Sequence, residues 1–541
     1  MTAPTVIDTA GEAELHTLVV ENKHQRRHNL QKYHVVVIVL GDLGRSPRMQ
    51  YHALSLLQEG HDVTLVGYHG EELIPDLRLY LAHNDDEAQP DDSEHSPTQQ
   101  HHASFHVDPL GNSLSVSGRS LPAGPTLHVV RFTVPTPPSA CGRVFYFLWR
   151  ILTLALWTTW ALVARIPQSV DAVLVQNPPA LPLLLVAWLY TRYKRLRQGY
   201  RPALIIDWHN LGYTMLAAGL FQRIARVYEQ KVAPWADAHW TVTKAMRNYL
   251  LQDLLAVDSN NTTPDSKPWI TEVPDCPPDM FCVRDLADQH EVLRRLGDTM
   301  EAACPRAWKT NLNRTTQTLL TEVVGSSKTA STTIQHRRGR PALVTSSTSW
   351  TPDEDFGILL QALLLLDDKI QAESSSLNVL VVVTGKGPQR TMYERKISQL
   401  ALRHVAVTTL WLAPQDYPRL LAAADLGVSL HTSTSGLDLP MKVLDLFGCE
   451  VPVCAMQFAC LDELVQDGVN GRVFGNSEEL ADLLWELLGP LAEQHEPVPN
   501  HGFGSLADYA AALRQRPRWH DNWVQRARPV LDQVVAAQKQ S

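Results

Sequence analysis

Two α/β domains, each a doubly wound parallel sheet, are the fold this sequence predicts, and three observations carry that expectation. Short Val/Ile/Leu-rich runs alternate with helix-patterned stretches along most of the chain. The alternation comes in two series separated by polar sequence. Glycine-bearing or polar turns follow several of the runs directly, at the carboxyl ends where doubly wound sheets place their ligands. A strand covered on both faces reads as continuous aliphatic sequence, so a run such as HVVVIVL (34–40) points to a sheet sandwiched by helices.

The first series places strands over 34–40, 62–67, 128–134, 171–176, 203–208 and 238–242, with a helix over 47–58 after the first glycine turn. The second places them over 342–346, 378–384, 405–411, 425–430 and 451–455. The stretch 515–534 reads as an amphipathic helix with Trp519, Trp523, Val530 and Val534 on one face. Polar segments 83–125, 256–268 and 305–340 read as mobile loops or insertions. The division that follows is a polar tail (1–33), a first Rossmann-like domain (34–285), a polar linker (286–340) and a second Rossmann-like domain (341–514). A terminal helix (515–541) is expected to cross back to the first domain.

One apolar segment, 144–166, raises the question of a membrane. Arg150 interrupts it and leaves an uncharged run shorter than the roughly 20 residues a span needs. Three readings stay open. It is a buried core helix, a helix lying in a bilayer interface with Trp149, Trp157 and Trp160 at the headgroups, or a true span. Residues 1–33 lack the apolar core of a secretory signal, so none is expected.

Of the 541 residues, 48 are Lys or Arg and 57 are Asp or Glu, a net charge of −9 that speaks against a general nucleic-acid coat. Seven cysteines without a C-x-x-C pair suggest reduced thiols in a cytosol-facing protein, with no metal site.

The turns carry the chemistry. GDLGRSPRM (41–49) follows the first run; it is neither G-x-G-x-x-G nor a nucleoside-triphosphate loop. Asp42 there either caps the next helix or faces a ligand, as Gly44 and Arg45 can. Asn177 opens the stiff NPP turn, and DWHNLGYT (207–214) sets an Asp, His209 and Asn210 at a strand end. That cluster lines a cleft or forms a satisfied structural network. In the second series, Gly385, Lys386 and Gly387 form a turn that can meet a phosphate. Ser435, Gly436, Leu437 and Asp438 precede a helix start near Pro440. Asp438 is an N-cap on the plainer reading, Lys442 lies in the first turn, and Asp445 sits where a ribose would need an acceptor.

Taken together, GDLGRSPRM, QNPP, IIDWHNLGY, TSSTSWTPDEDF, TGKGP, LAAADLGVSLHTSTSGLDLPMKVLDLFG and WHDNW resemble the chitobiosyldiphosphodolichol beta-mannosyltransferases. The resemblance implies a GT-B fold, two Rossmann-like domains facing across a cleft. It implies inverting transfer of mannose from GDP-mannose, a co-substrate rather than a cofactor, to dolichyl-diphosphate-linked chitobiose in a β-1,4 linkage. It places this first mannosylation of the lipid-linked oligosaccharide at the cytosolic face of the endoplasmic reticulum membrane. Other mannosyltransferases of that pathway become candidate partners, and nucleic acid is not one. Asp42 and His209 are then the candidates for the general base; Gly385 to Gly387, Ser435 to Asp438, Lys442 and Asp445 face the donor. Gly44, Arg45, Asn177 and Asn210 fall on the phosphate or acceptor side, and Arg45, Lys386, Lys442 or a helix N-terminus meets the diphosphate. Related retaining enzymes grip the donor with two glutamates seven residues apart; here the second position is Asp445 and the first is Leu437, with Asp438 shifted by one. A GT-B transferase acting on a soluble acceptor is the alternative.

Overall fold

The computed structural model describes residues 31–81, 124–133, 143–166, 168–254, 269–308, 312–325, 332–433, 435–494 and 498–540. The segments 83–125 and 256–268 lie outside them, apart from residues 124 and 125.

The first sheet holds β1 (His34–Asp42), β2 (Asp62–Tyr68), β3 (Leu127–Phe132), β4 (Ala172–Asn177), β5 (Ala203–Trp208), β6 (Ala238–Thr241) and β7 (Trp269–Glu272). Their order is β3-β2-β1-β4-β5-β6-β7. A small antiparallel pair follows, β8 (Thr321–Gly325) with β9 (Thr332–His336). The second sheet holds β10 (Ala342–Ser347), β11 (Val379–Thr384), β12 (Val405–Leu410), β13 (Leu426–Ser429), β14 (Val453–Met456) and β15 (Gly471–Phe474). Its order is β12-β11-β10-β13-β14-β15. In each sheet the winding reverses beside the first strand: β1 pairs in parallel with β2 and β4, and β10 with β11 and β13. Such reversals open the crevice where doubly wound sheets bind ligands.

The aliphatic runs are explained by the packing. Along β11, Val379, Val381 and Val383 enter one core while Leu380 and Val382 enter another on the opposite face. Side chains alternate across a strand, so a sheet covered twice needs an apolar residue at every position.

By density of contacts the described residues form two compact units, one within 1–175, 182–204 and 535–541 and the other within 176–181 and 205–534. This division does not fall in 286–340. Within the larger unit, loops near the carboxyl side of β7 hold the terminal helix (Trp519–Gln540): Asn522 Nδ2 donates to Pro274 O at 2.9 Å and Trp519 N to Pro277 O at 3.0 Å. That helix buries Trp519, Trp523, Val530 and Val534 as expected. In the smaller unit, Lys539 pairs with Asp171 at 2.7 Å.

The helix Arg143–Arg165 is half of what each reading expected. Leu154, Thr158, Ala161 and Leu162 are buried, while Phe145, Leu148, Leu152, Leu156, Trp157, Trp160 and Val163 are exposed. It is therefore not a core helix enclosed on all sides. Residues 145–165 are long and apolar enough to cross a membrane by length and composition, and 28% of the most apolar window is buried.

The stretch 305–340, expected to be a mobile loop, is in its described parts built into the fold. Arg337 Nη1 donates to Thr318 O at 3.1 Å, and Arg340 forms a two-pronged pair with Asp425, 2.7 Å on each arm. Asp425 also accepts from Leu343 N at 2.8 Å and His501 N at 3.0 Å. Burial pushes the Asp425 carboxyl up, but Arg340 and these amides outweigh it and hold it below the usual range. Replacing Asp425 by Ala strands a buried guanidinium. We expect a loss of about 3–5 kcal/mol in denaturant unfolding; a change within experimental error would show that the pair is not integral.

A second buried acid, Glu229 on the helix Leu220–Val232, behaves oppositely. Neither oxygen has a partner in hydrogen-bond geometry, although the amides of Gly212 and Tyr213 approach and favour the ionised form. Burial is the larger effect and pushes the carboxyl up to about 7. A folded pKa above the unfolded one means this stability is complete at low pH and is lost as pH rises through about 7. Between pH 5 and 8, Glu229→Gln should gain up to ~3 kcal/mol on the wild type in thermal unfolding. Parallel pH profiles for the two proteins would refute the assignment.

Candidate functional site

The carboxyl ends of β10, β11 and β13 converge through their loops. Gly385 and Gly387 are required there by space: a Cβ on either would stand 1.8 Å from a carbonyl oxygen, Thr348 O or Ser349 O respectively. The turn after β11 is thereby pressed against the turn after β10, and Trp350 Nε1 donates back to Gly385 O at 3.2 Å. Lys386 stays exposed, with its ammonium 3.9 Å from the centroid of the exposed Trp411 ring.

The loop after β13 is tied to the same turns. Thr432 Oγ1 donates to Asp353 O at 3.1 Å. Lys442 Nζ donates to Ser349 Oγ at 3.1 Å and to Glu354 Oε1 at 2.7 Å. The other Glu354 oxygen accepts from Thr348 Oγ1 and Ser349 N, each at 2.6 Å. Burial alone would raise the Glu354 carboxyl; Lys442 and these donors hold it below its usual range. Lys442 is thus already paired with a buried carboxylate.

Asp438 is not the helix cap. The helix Met441–Gly448 begins after Pro440, with no side-chain cap. Asp438 instead gathers its own loop, accepting from Ser433 Oγ and, at 3.2 Å, from Ser435 Oγ. Gly436, at φ 72°, takes the left-handed turn this loop needs, and Leu437 N donates to Ser435 Oγ at 3.2 Å. Deeper in, Asp445 accepts from Tyr417 OH at 3.3 Å, and that hydroxyl lies 2.9 Å from Ser347 Oγ. Burial raises the Asp445 carboxyl to about 7.

The loop after β5 reaches this assembly, all within the larger unit. Asn210 Nδ2 donates to Asp438 Oδ1 at 3.1 Å. Thr243 Oγ1 donates to Leu437 O at 2.7 Å, and Glu463 takes the amides of Lys244 and Ala245 at 2.7 and 2.8 Å. Asn177 is buried beneath, its Nδ2 3.4 Å from Asn210 O and its Oδ1 without a partner. Beside Asn210, His209 Nε2 meets Oδ2 of the fully buried Asp207 at 2.7 Å. No other protein partner of the His209 ring is found among the described residues.

Asp42 has the partners of a cap. Its Oδ1 accepts from Gly44 N, and both oxygens accept from Glu71 N, each at 3.0 Å. Gly44 has no room for a side chain, since a Cβ would lie 2.6 Å from the Glu71 carbonyl carbon. Arg45 is paired with Glu71 at 2.8 Å.

The sequence reading missed Glu354, Tyr417, Thr243 and Glu463. Of these only Glu354, in the acidic run 353–355, carried a visible signal.

Residues 340–489 match the family model of glycosyl transferases group 1. The chain is 36% identical over 514 residues to the Homo sapiens chitobiosyldiphosphodolichol beta-mannosyltransferase, covering 92% of each protein. Identity to the Mus musculus protein of that name is 34% over 510 residues, covering 92% of this chain and 89% of the other. The Arabidopsis thaliana UDP-glycosyltransferase TURAN is also 34% identical, over 525 residues, with 92% and 97% covered. Among solved structures, a sucrose-phosphate synthase from Thermosynechococcus elongatus aligns with a TM-score of 0.52 at 12% identity, covering 94% of this chain and all of that one. Anabaena HepE in complex with UDP-glucose does so with 0.52 at 13%, covering 94% and 100%. These likenesses establish the GT-B fold. With a third or more of its residues shared across nine-tenths of the chain, this glycosyltransferase belongs to the chitobiosyldiphosphodolichol beta-mannosyltransferase family.

Proposed function

We propose that this enzyme transfers mannose from GDP-mannose to dolichyl-diphosphate-linked chitobiose in a β-1,4 linkage, with inversion and without a cofactor, at the cytosolic face of the endoplasmic reticulum membrane. One observation carries the reading. The loop holding the Asp207–His209 pair is hydrogen-bonded, through Asn210 and Asp438, to the loop that leads into the candidate donor helix. A proton acceptor and a diphosphate-receiving helix start therefore belong to one assembly.

An inverting transfer needs a base on the acceptor hydroxyl while the nucleoside diphosphate leaves from the opposite side of the sugar. His209 Nδ1 takes that proton. The buried Asp207 fixes the ring through Nε2 and stabilises the imidazolium that forms. The departing diphosphate gains charge, which the first amides of the helix Met441–Gly448 and the exposed Lys386 meet. Asp445 accepts from the ribose hydroxyls. The exposed aromatic face of the helix Arg143–Arg165 supports an acceptor held in a membrane over a soluble one.

His209→Ala should lower turnover on a phytanyl-diphosphate chitobiose acceptor by roughly 10²–10⁴-fold and leave GDP affinity intact. Asp42→Ala should instead cost about 1 kcal/mol of stability, as loss of a cap does, with turnover nearly unchanged. The reverse pattern would move the base to Asp42.

Asp445→Asn should weaken GDP binding by about 1.5–3 kcal/mol in calorimetry. A carboxyl raised to about 7 is protonated below that pH and accepts poorly. Wild-type affinity should accordingly tighten from pH 6 to 8, and the variant should lack that component. Equal pH dependence in the two proteins would remove Asp445 from the ribose site.

A further inference from the structure

The helix Leu220–Val232 has a wider apolar arc than the protein covers. Ala225 and Val232 are buried at one side of the arc, whereas Leu220, Ile224 and Val227 are exposed, at the i, i+4, i+7 spacing of a single stripe. Met215 is exposed in the turn before it and Trp235 just after it. The polar side holds the exposed Arg223 and Arg226, and Lys231 stands at the end of the stripe. Arg226 is braced over the Tyr213 ring, 5.7 Å from its centroid. From Leu211 to Val232 the one acid is Glu229, and it is buried. The solvent-facing charge of this segment is thus wholly positive, on a chain whose net charge is −9.

We propose that this helix lies on an anionic bilayer surface, with its exposed stripe among the acyl chains and its arginines at the headgroups. An amphipathic helix with a cationic polar face suits that plane, and each cation near an anionic leaflet adds to the attraction. The inference rests on the lipid-linked acceptor proposed above and extends it. The helix follows the His209 loop by ten residues, so docking it brings the candidate base to the bilayer that holds the acceptor. The helix is about 20 Å long, and its stripe runs along about 10 Å of it, roughly two turns.

The test uses the full chain and vesicles of phosphatidylcholine, with and without phosphatidylinositol. Arg223→Gln with Arg226→Gln should lose the preference for anionic vesicles, on the order of tenfold in partition. Ile224→Glu with Val227→Glu should lower partition to both vesicle types by at least that much. Both double variants should keep the wild-type melting temperature and wild-type transfer to phytanyl-diphosphate chitobiose dispersed in detergent. Wild-type partition in both variants overturns the proposal. So does a wild-type dimer in sedimentation that the Ile224/Val227 variant dissociates while its vesicle binding is unchanged, because the stripe is then a contact between copies. If the wild type transfers no mannose in detergent yet both variants lose vesicle binding, the docking surface stands and the acceptor assignment falls.

Discussion

A buried charge pair sets the frame from which the loops after β10 and β13 arise. Arg340 and Asp425 precede β10 and β13, the two strands that flank the reversal of the second sheet. Those strands share only the registers Val344 with Leu426 and Thr345 with Gly427, a short ladder for so central a junction. The two-pronged guanidinium contact, with the Leu343 amide on the same carboxylate, fixes that register at the amino ends. A pair of this kind contributes less to net stability than to specificity, because desolvation offsets much of its attraction. Its value here is geometric: with the register fixed, the loops after β10 and β13 leave the sheet from defined positions.

Those loops then hold one another. Two glycines let the turn after β11 touch the backbone of the turn after β10, and Glu354 gathers Thr348, Ser349 and Lys442. Asp438 draws Ser433, Ser435 and Asn210 together. Many of these connections run through a carboxylate or a bare backbone contact, and both are unforgiving. A Cβ at Gly385 meets a carbonyl, and a buried carboxylate without its donors must take up a proton or be exposed.

The strands of both sheets were legible because a doubly covered sheet writes itself as aliphatic runs; β5 occupies the residues read for it, Ala203–Trp208. Strands lacking that signature were not. β7 (WITE) and β15 (GRVF) lie at sheet edges, and the antiparallel pair β8–β9 stands apart from both sheets. Such strands need fewer apolar residues, so polar sequence concealed them. The basic stretch before β10 was misread for a related reason. Arg340 looks like a solvated charge until its partner, Asp425, 85 residues later, comes into view. The same holds for the site. Individual turns were visible, but the choice between a cap and a base at Asp42 depended on Glu71, and the pairing of Lys442 on Glu354.

That pairing bears on how the two lysines of this assembly are held. The two cations are compensated in different ways. Lys442 is neutralised by Glu354, which makes it a brace for the first turn of the helix Met441–Gly448 rather than a free charge. Lys386 is left with a weaker and wetter partner, the face of Trp411. An exposed cation–π contact is worth about 0.5–1 kcal/mol, against about 1.5–3 for a hydrogen bond to a charged group. Under the proposed transfer, a diphosphate recruits Lys386 at small cost, whereas moving Lys442 would unpair a buried carboxylate. Under the proposed transfer, the mobile cation belongs to the β11 turn and the fixed positive end of the helix is supplied by its backbone amides.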